Sequence, residues 1–188
     1  MVLRQRLAQM ISKRAFIWRQ APPYFRLSSG KESPFYFDLK RITLDPEGAS
    51  LVGELAYQAI ADLPVAGVGG MTFGADPIAC AIMHTAYRYG RRLYHFSVRK
   101  EPKGHGTQRF IEGNISTGDR VVIVEDVVTT GGSTLLAISR AREAGLIPEA
   151  VLVLVDREEE DGLSRIQAEV SRVKVLFTRS ELMELAQK

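Results

Sequence analysis

The sequence predicts an α/β fold, with a central, mostly parallel sheet flanked by helices on both faces. Two observations carry that expectation. Apolar runs of strand length recur at residues 65–69, 93–98, 121–124, 150–155 and 173–177, and segments with helical spacing lie between them. Strands buried on both faces read as continuous Val/Ile/Leu runs, and intervening helices supply the crossovers of a parallel sheet. Glycines, hydroxyl residues and charges then gather where several of these runs end, which is where open α/β sheets hold ligands. At 188 residues the chain is most simply one domain, large enough to bury about 70% of its unfolded surface.

Each element has its own signal. Leu3, Leu7, Met10, Ile11 and Phe16 fall near helical spacing, predicting an amphipathic helix over 3–18 that Pro22 and Pro23 end. Residues 24–27 and 35–39 predict two short strands joined by a turn region at 28–34. Asp45 is a plausible N-cap and Pro46 suits a first helical position, so a helix is expected over 46–60. The βα alternation then begins: strand 65–69, turn 70–77, helix to about 88, strand 93–98, and a long polar loop over 99–118. Strand 121–124, its loop and a helical stretch from Leu135 come next. Strand 150–155, a short helix over 162–169, strand 173–177 and a terminal helix complete the reading.

Composition narrows the function classes. With 45% hydrophobic and 25% charged residues, the chain reads as an ordinary globular protein. A net charge of +3 is too small to predict a nucleic-acid partner. Basic residues do gather at Arg88, Arg91, Arg92, Arg99, Lys100 and Lys103, fitting either a regional attraction for anions or a solvated surface. The single cysteine, Cys80, allows no internal disulfide and reads as an inert core thiol. No apolar stretch approaches the ~20 residues of a membrane helix, and the first residues lack a signal-peptide core. A cytoplasmic enzyme or binding domain fits. His84 and His95 have no metal-ligand spacing and read as structural, and Phe16 and Trp18 read as core rather than as a stacking platform.

The most informative stretch is Arg120-Val-Val-Ile-Val-Glu-Asp-Val-Val-Thr-Thr-Gly-Gly-Ser133. A buried strand delivers Glu125 and Asp126 to its carboxyl end, and a loop of small and hydroxyl residues opens onto a helix N-terminus. Backbone N–H groups and the helix dipole favour a phosphate there, and the acids can accept hydrogen bonds from sugar hydroxyls. The stretch is neither a P-loop nor a dinucleotide fingerprint, lacking both glycine patterns. A second feature is Arg99-Lys-Glu-Pro-Lys-Gly-His-Gly106, whose cations suit diphosphate oxygens and whose glycines suit a lid. Taken alone it could also be a solvated basic loop. Arg157, at the end of strand 150–155, could pair with an anionic substrate or with Glu158 or Glu159 at the surface. The Gly69-Gly-Met-Thr-Phe-Gly-Ala-Asp76 turn could admit a diphosphate close to its backbone or be a tight structural turn.

The acid-pair stretch resembles the phosphoribosyl diphosphate (PRPP) motif of type I phosphoribosyltransferases. Ser29-Gly-Lys-Glu-Ser-Pro-Phe-Tyr-Phe-Asp38 resembles the N-terminal segment of the orotate phosphoribosyltransferases, the 99–106 loop resembles their catalytic loop, and Arg157 stands where they have an orotate-binding arginine. The resemblance covers about residues 24–157 in the expected order. It implies the type I phosphoribosyltransferase fold, with a small N-terminal hood segment over about 1–45 and a core over about 46–188. It implies transfer of ribose 5-phosphate from PRPP to orotate, giving orotidine 5′-monophosphate and diphosphate in pyrimidine synthesis. Glu125 and Asp126 would contact the ribose hydroxyls, and Val127, Val128, Thr129, Thr130, Gly131, Gly132 and Ser133 would cradle the 5′-phosphate. Arg99, Lys100, Lys103 and His105 would hold the diphosphate, with Lys103, His105 and Asp126 the catalytic residues. Thr129 and Arg157 would bind orotate beside Tyr36 and Phe37.

The resemblance also implies Mg²⁺ held mainly through PRPP, with no direct protein metal cluster, and a homodimer whose loop partly closes over the neighbouring active site. No nucleic-acid or membrane partner is implied. Ser28, and a 70–76 turn without lysine, stand where some members carry lysines that touch PRPP. A purine-base transferase and a non-catalytic sensor of PRPP, nucleotides or RNA are the competing readings; Arg157 with the 29–38 segment argues against the first, and the complete basic lid against the second.

Overall fold

In the computed structural model, residues 3–26, 30–101 and 110–186 are described. The N-terminal part holds α1 (Leu3–Arg14), β1 (Phe16–Trp18), β2 (Phe25–Arg26), β3 (Glu32–Ser33), β4 (Phe35–Phe37) and the single-turn α2 (Lys40–Thr43). There follow α3 (Pro46–Ile60), β5 (Gly67–Met71), α4 (Ala75–Arg88), β6 (Tyr94–Val98), β7 (Ile111–Gly113) and β8 (Arg120–Val128). The chain continues through α5 (Gly132–Glu143), β9 (Ile147–Asp156), α6 (Gly162–Glu169), β10 (Val173–Thr178) and α7 (Arg179–Ala186). Six strands form the main sheet in the order β10-β9-β8-β5-β6-β7. All neighbours pair in parallel except β7, which runs antiparallel to β6. The expected mostly parallel sheet with flanking helices is what forms.

Strand periodicity explains how an unbroken apolar run feeds two cores. Successive side chains point to opposite faces, so Val122, Val124, Leu152 and Leu154 pack with α1, α3 and α4 around Leu7, Ile11, Ile60 and Ile82. Val121, Ile123, Val151 and Val153 pack on the other face with Ile138 of α5, Ile166 of α6 and Phe96. Asp45 caps α3 as expected, accepting from the Gly48 N–H at 2.9 Å. Arg91, part of the basic cluster in the sequence, is spent structurally: it donates to the Ala61 and Val65 carbonyls at 3.0 and 3.1 Å just past α3.

Several boundaries differ from those the sequence suggests. The first helix stops at Arg14 because Phe16, Ile17 and Trp18 pair antiparallel with Phe37, Tyr36 and Phe35. Aromatic and β-branched residues favour such a ribbon. Trp18 is consequently 46% exposed rather than in the core, while Phe16 stacks on Phe35 and packs at a tilt against Phe37. The second N-terminal strand ends at Phe37, and residues after it turn into α2. Inside the supposed polar loop lies β7, whose three residues carry one large apolar side chain and take strand form only against β6. Helix α5 begins at Gly132, earlier than Leu135, and β9 begins at Ile147, before the apolar run.

The most consequential shift is at β5, which runs on to Met71. Gly69 and Gly70 are therefore strand residues, not turn residues. A Cβ at Gly69 would overlap the Phe96 carbonyl, and one at Gly70 would overlap the Val124 carbonyl. These glycines let neighbouring strands approach the central one. Gly69→Ala should lower the unfolding free energy by about 3 kcal/mol, seen as a reduced urea midpoint with an unchanged slope. A midpoint like that of the unsubstituted chain would refute this role.

Candidate functional site

Because β9, β8, β5 and β6 are adjacent and parallel, their carboxyl ends form one rim. The Arg157 N–H donates to the Val128 carbonyl at 3.0 Å, tying the ends of β9 and β8 together.

At the end of β8 the two acids part. Glu125 turns toward α5, where it is 5% exposed and accepts from the Thr134 hydroxyl at 2.7 Å. Burial pushes its carboxyl up to about 8, with the neighbouring Asp126 charge adding to the effect. Asp126 turns the other way and is half-buried. It accepts from the Val127 N–H at 2.8 Å, and its Oδ2 lies 2.7 Å from where a Cβ of Gly74 would stand. The turn between β5 and α4 thus packs its bare backbone on the Asp126 carboxylate.

The loop after β8 is shaped for an anion. Gly131 has φ 74°, in the left-handed region that glycine enters freely. A Cβ there would sit 2.8 Å from the Gly162 carbonyl, so α6 packs directly beneath the turn. Arg165 of α6 donates to the Thr130 carbonyl at 2.8 Å, steadying the loop from below. Gly132 and Ser133 stay exposed at the N-terminus of α5, with Thr129 and Thr130 half-exposed beside them. Unpaired helix N–H groups and hydroxyls at such a terminus attract phosphate.

At the end of β6, Thr72, Ser97, Arg99, Lys100, Glu101 and Glu112 line an open groove of about 530 Å³. Arg99 and Lys100 face it as the 99–106 loop begins. The Arg99 N–H is anchored on the Phe110 carbonyl at 2.8 Å, and its guanidinium lies 3.8 Å from Glu112. Asp76 accepts hydrogen bonds from Thr72 and from Ser97 at 2.7 Å, and it sits 3.4 Å from His95. Burial would raise its carboxyl, but hydrogen bonds from His95, Thr72 and Ser97 hold it below the usual range. His95 is also 3.4 Å from the Cys80 sulfur, so it serves the packing of this turn, and Cys80 is half-buried rather than fully in the core. Lys103 and His105 lie outside the described residues.

At the end of β9, Arg157 is 4% exposed, so the pairing with Glu159 considered from the sequence does form, but around a buried guanidinium rather than at the surface. Its Nη2 donates to the Ser33 hydroxyl at 2.9 Å and the Phe35 carbonyl at 3.3 Å and lies 3.0 Å from Glu159. Its Nε is buried with no partner among the described residues. Burial lowers the guanidinium pKa, and the Glu159 charge opposes that shift. Phe37 is buried in the core and Tyr36 is exposed, stacked on Phe25. It is the backbone of β4, at Phe35, that meets Arg157.

No protein-family model matches the chain. The orotate phosphoribosyltransferase of Aquifex aeolicus is 46% identical over 183 residues, spanning 97% of this chain and 99% of that protein. The chain belongs to the orotate phosphoribosyltransferase family. A crystal structure of the Mycobacterium tuberculosis orotate phosphoribosyltransferase in complex with PRPP superposes with a TM-score of 0.80 at 35% identity, covering 97% of this chain and 99% of that one. A phosphoribosyltransferase from Corynebacterium diphtheriae superposes with a TM-score of 0.83 at 36% identity, covering 97% and 99%. The family and the type I fold implied by the sequence motifs both hold.

In this family member the strand ends also make contacts that motif reading did not assign. Thr134 holds Glu125, Ser33 and Phe35 meet Arg157, and Asp76 and Gly74 shape the turn beside Asp126. Thr134 follows Ser133 directly, and Ser33, Phe35, Gly74 and Asp76 lie in the 29–38 and 69–76 segments already singled out; the sequence lacked only the contacts that join these distant segments.

The buried Glu125 has a consequence for stability. The unfolded chain ionises it in the ordinary carboxylate range, whereas the folded chain keeps the proton until about pH 8. The folded state binds more protons across that window, so this contribution is complete at low pH and is lost as pH rises through it. Glu125→Gln, a neutral mimic, should match the parent in thermal stability near about pH 5 and exceed it increasingly toward about pH 8. Melting curves across pH check this; a difference that does not change with pH would count against a buried, protonated Glu125.

Proposed function

We propose that this chain transfers the ribose 5-phosphate group of PRPP to orotate, releasing diphosphate, as a pentosyltransferase of pyrimidine synthesis. The observation that carries the base assignment is Arg157: a buried guanidinium, neutralised by Glu159, whose Nε has no partner among the described residues. A buried donor left open is costly unless a ligand accepts from it, and the orotate carboxylate or ring carbonyl is such an acceptor. The 5′-phosphate sits on the exposed N–H groups and hydroxyls of 129–133. The ribose hydroxyls meet Asp126, and the diphosphate lies toward Thr72, Arg99 and Lys100.

Glu125 needs a separate reading. Buried against Thr134 in the free protein, it meets ribose only if it turns outward on binding; otherwise it acts by fixing the end of β8 beside Asp126.

The chemistry asks little covalent help. As N1 of orotate bonds to C1 of the ribose, the C1–O bond to diphosphate breaks, its electron pair leaves with the diphosphate, and the proton of N1 is given up. The transition state has oxocarbenium character, as in glycoside chemistry. Positioning and charge neutralisation carry the catalysis. Among the described residues no three potential ligands cluster; the half-buried Asp126 carboxylate fits a hard cation delivered on the diphosphate rather than caged by protein. Mg²⁺ bound there would neutralise the leaving diphosphate. Lys103 or His105 supplies a proton or a cation to the same group.

The reading extends to a cytoplasmic homodimer whose 99–106 loop serves the neighbouring site. Exposed aromatics lie at both ends of α4, Phe73 before it and Tyr87 and Tyr89 at its close, and are surface that a second copy would cover.

Incubation with PRPP, Mg²⁺ and orotate should consume orotate, seen as falling absorbance, while adenine, hypoxanthine and uracil are poor substrates; chelation with EDTA should abolish turnover. Faster use of a purine would overturn the reading. For the dimer, Lys103→Ala and Asp126→Asn chains should each be inactive, and an equal mixture refolded together should regain about a quarter of the parent activity through hybrid dimers with one intact site. No regain on mixing would place the loop in its own subunit's site.

A further inference from the structure

Arg157 is held by more than the strand it stands on. Its Nη2 is surrounded by the Ser33 hydroxyl, the Phe35 carbonyl and the Glu159 carboxylate. The same carboxylate pairs with Arg179, the first residue of α7, at 3.0 Å. The Arg179 guanidinium lies over the Phe35 ring at 5.2 Å. Arg157, Glu159, Arg179 and Phe35 therefore close a circuit through the end of β9, the start of α7 and the N-terminal ribbon.

The segment that carries Glu159 is strained and pinned. Glu158, Glu160 and Asp161 have φ of 55°, 57° and 53°, a region that non-glycine residues enter only at an energetic cost. Each neighbour of Glu159 is tied down. Glu158 accepts from the Ser180 N–H and hydroxyl at 2.8 and 2.6 Å, and Glu160 pairs with Lys31 at 3.0 Å. A surface turn would not need this, since strain persists only where surrounding contacts impose it.

We propose that Glu159 is a positioning residue for base recognition. Clamped against Arg179, it holds Nη2 of Arg157 and so fixes where the adjacent Nε, which has no partner among the described residues, is offered to the orotate anion. The inference rests on the proposed function. A lone buried arginine could turn to spend Nε on the protein; with Nη2 fixed by three acceptors, it cannot turn without losing all of them. The charge of Glu159 matters as well as its shape, because it offsets one of two guanidinium groups that would otherwise repel across the base site.

Steady-state kinetics on the full chain test this. E159Q should raise KM for orotate about tenfold, with KM for PRPP and kcat at saturation within about twofold of the parent. E159D should recover part of the loss, and R179M should shift KM for orotate in the same direction. A general structural defect would instead lower kcat and raise both KM values together, and that result overturns the proposal. An unchanged KM for orotate overturns it as well. So does a fall, which would mean that Glu159 occupies the place of the substrate anion. If E159Q does not fold, R179M alone decides, on the same criteria. Parent protein that fails to consume orotate defeats the functional reading; active parent protein with an unaltered E159Q defeats only this inference.

Discussion

The site depends on how closely β5 lies between β6 and β8. Two glycines, at 69 and 70, remove the side chains that would meet the Phe96 and Val124 carbonyls. With them β5 lies close to both neighbours, and the loops that follow the adjacent strands can share a ligand. The same economy recurs at the rim. Gly74 brings its backbone onto the Asp126 carboxylate, and Gly131 lets α6 seat directly under the phosphate turn. Bulk is removed wherever one loop must touch the next.

Charge is then set against burial. Glu125 and Arg157 are both nearly inaccessible, but they are treated differently. Glu125 is held by one hydroxyl beside another acid, so it meets burial by retaining its proton. Arg157 keeps its charge because Glu159 shares the desolvated space, and its Nε has no partner among the described residues while the adjacent Nη2 is engaged. Adjacent strand ends thus carry a neutral acid and a cation with a free hydrogen bond. The first suits a rigid strand terminus; the second suits recognition of an anion.

Motif reading recovered the parallel strands, their order of appearance, the small-residue turn before α5 and the arginine at the end of β9, because each is written in consecutive residues. A buried parallel strand is an unbroken apolar run, and a phosphate loop is a run of small and hydroxyl residues before a helix. The misread elements are those whose neighbours decide them. Phe16–Trp18 has helical spacing with α1 yet pairs with β4, because its aromatic residues gain more from the ribbon. Ile111–Gly113 has too little apolar content to declare a strand until β6 lies beside it. Gly69 and Gly70 read as turn glycines because a sequence cannot distinguish a glycine needed for torsion from one needed for space.

By itself, the sequence determined that this is a mostly parallel α/β protein with a turn of small and hydroxyl residues before a helix, a basic stretch and an arginine at neighbouring strand ends, since each of these is a local pattern with a local physical cause. Tertiary structure alone decided which of those groups are available. It buried Glu125 beneath Thr134 while leaving Asp126 half open, and it turned Arg157 inward onto Ser33, Phe35 and Glu159. Availability is a property of the surroundings, and the surroundings of Arg157 come from residues 33, 35 and 179, which no spacing rule could have joined to it.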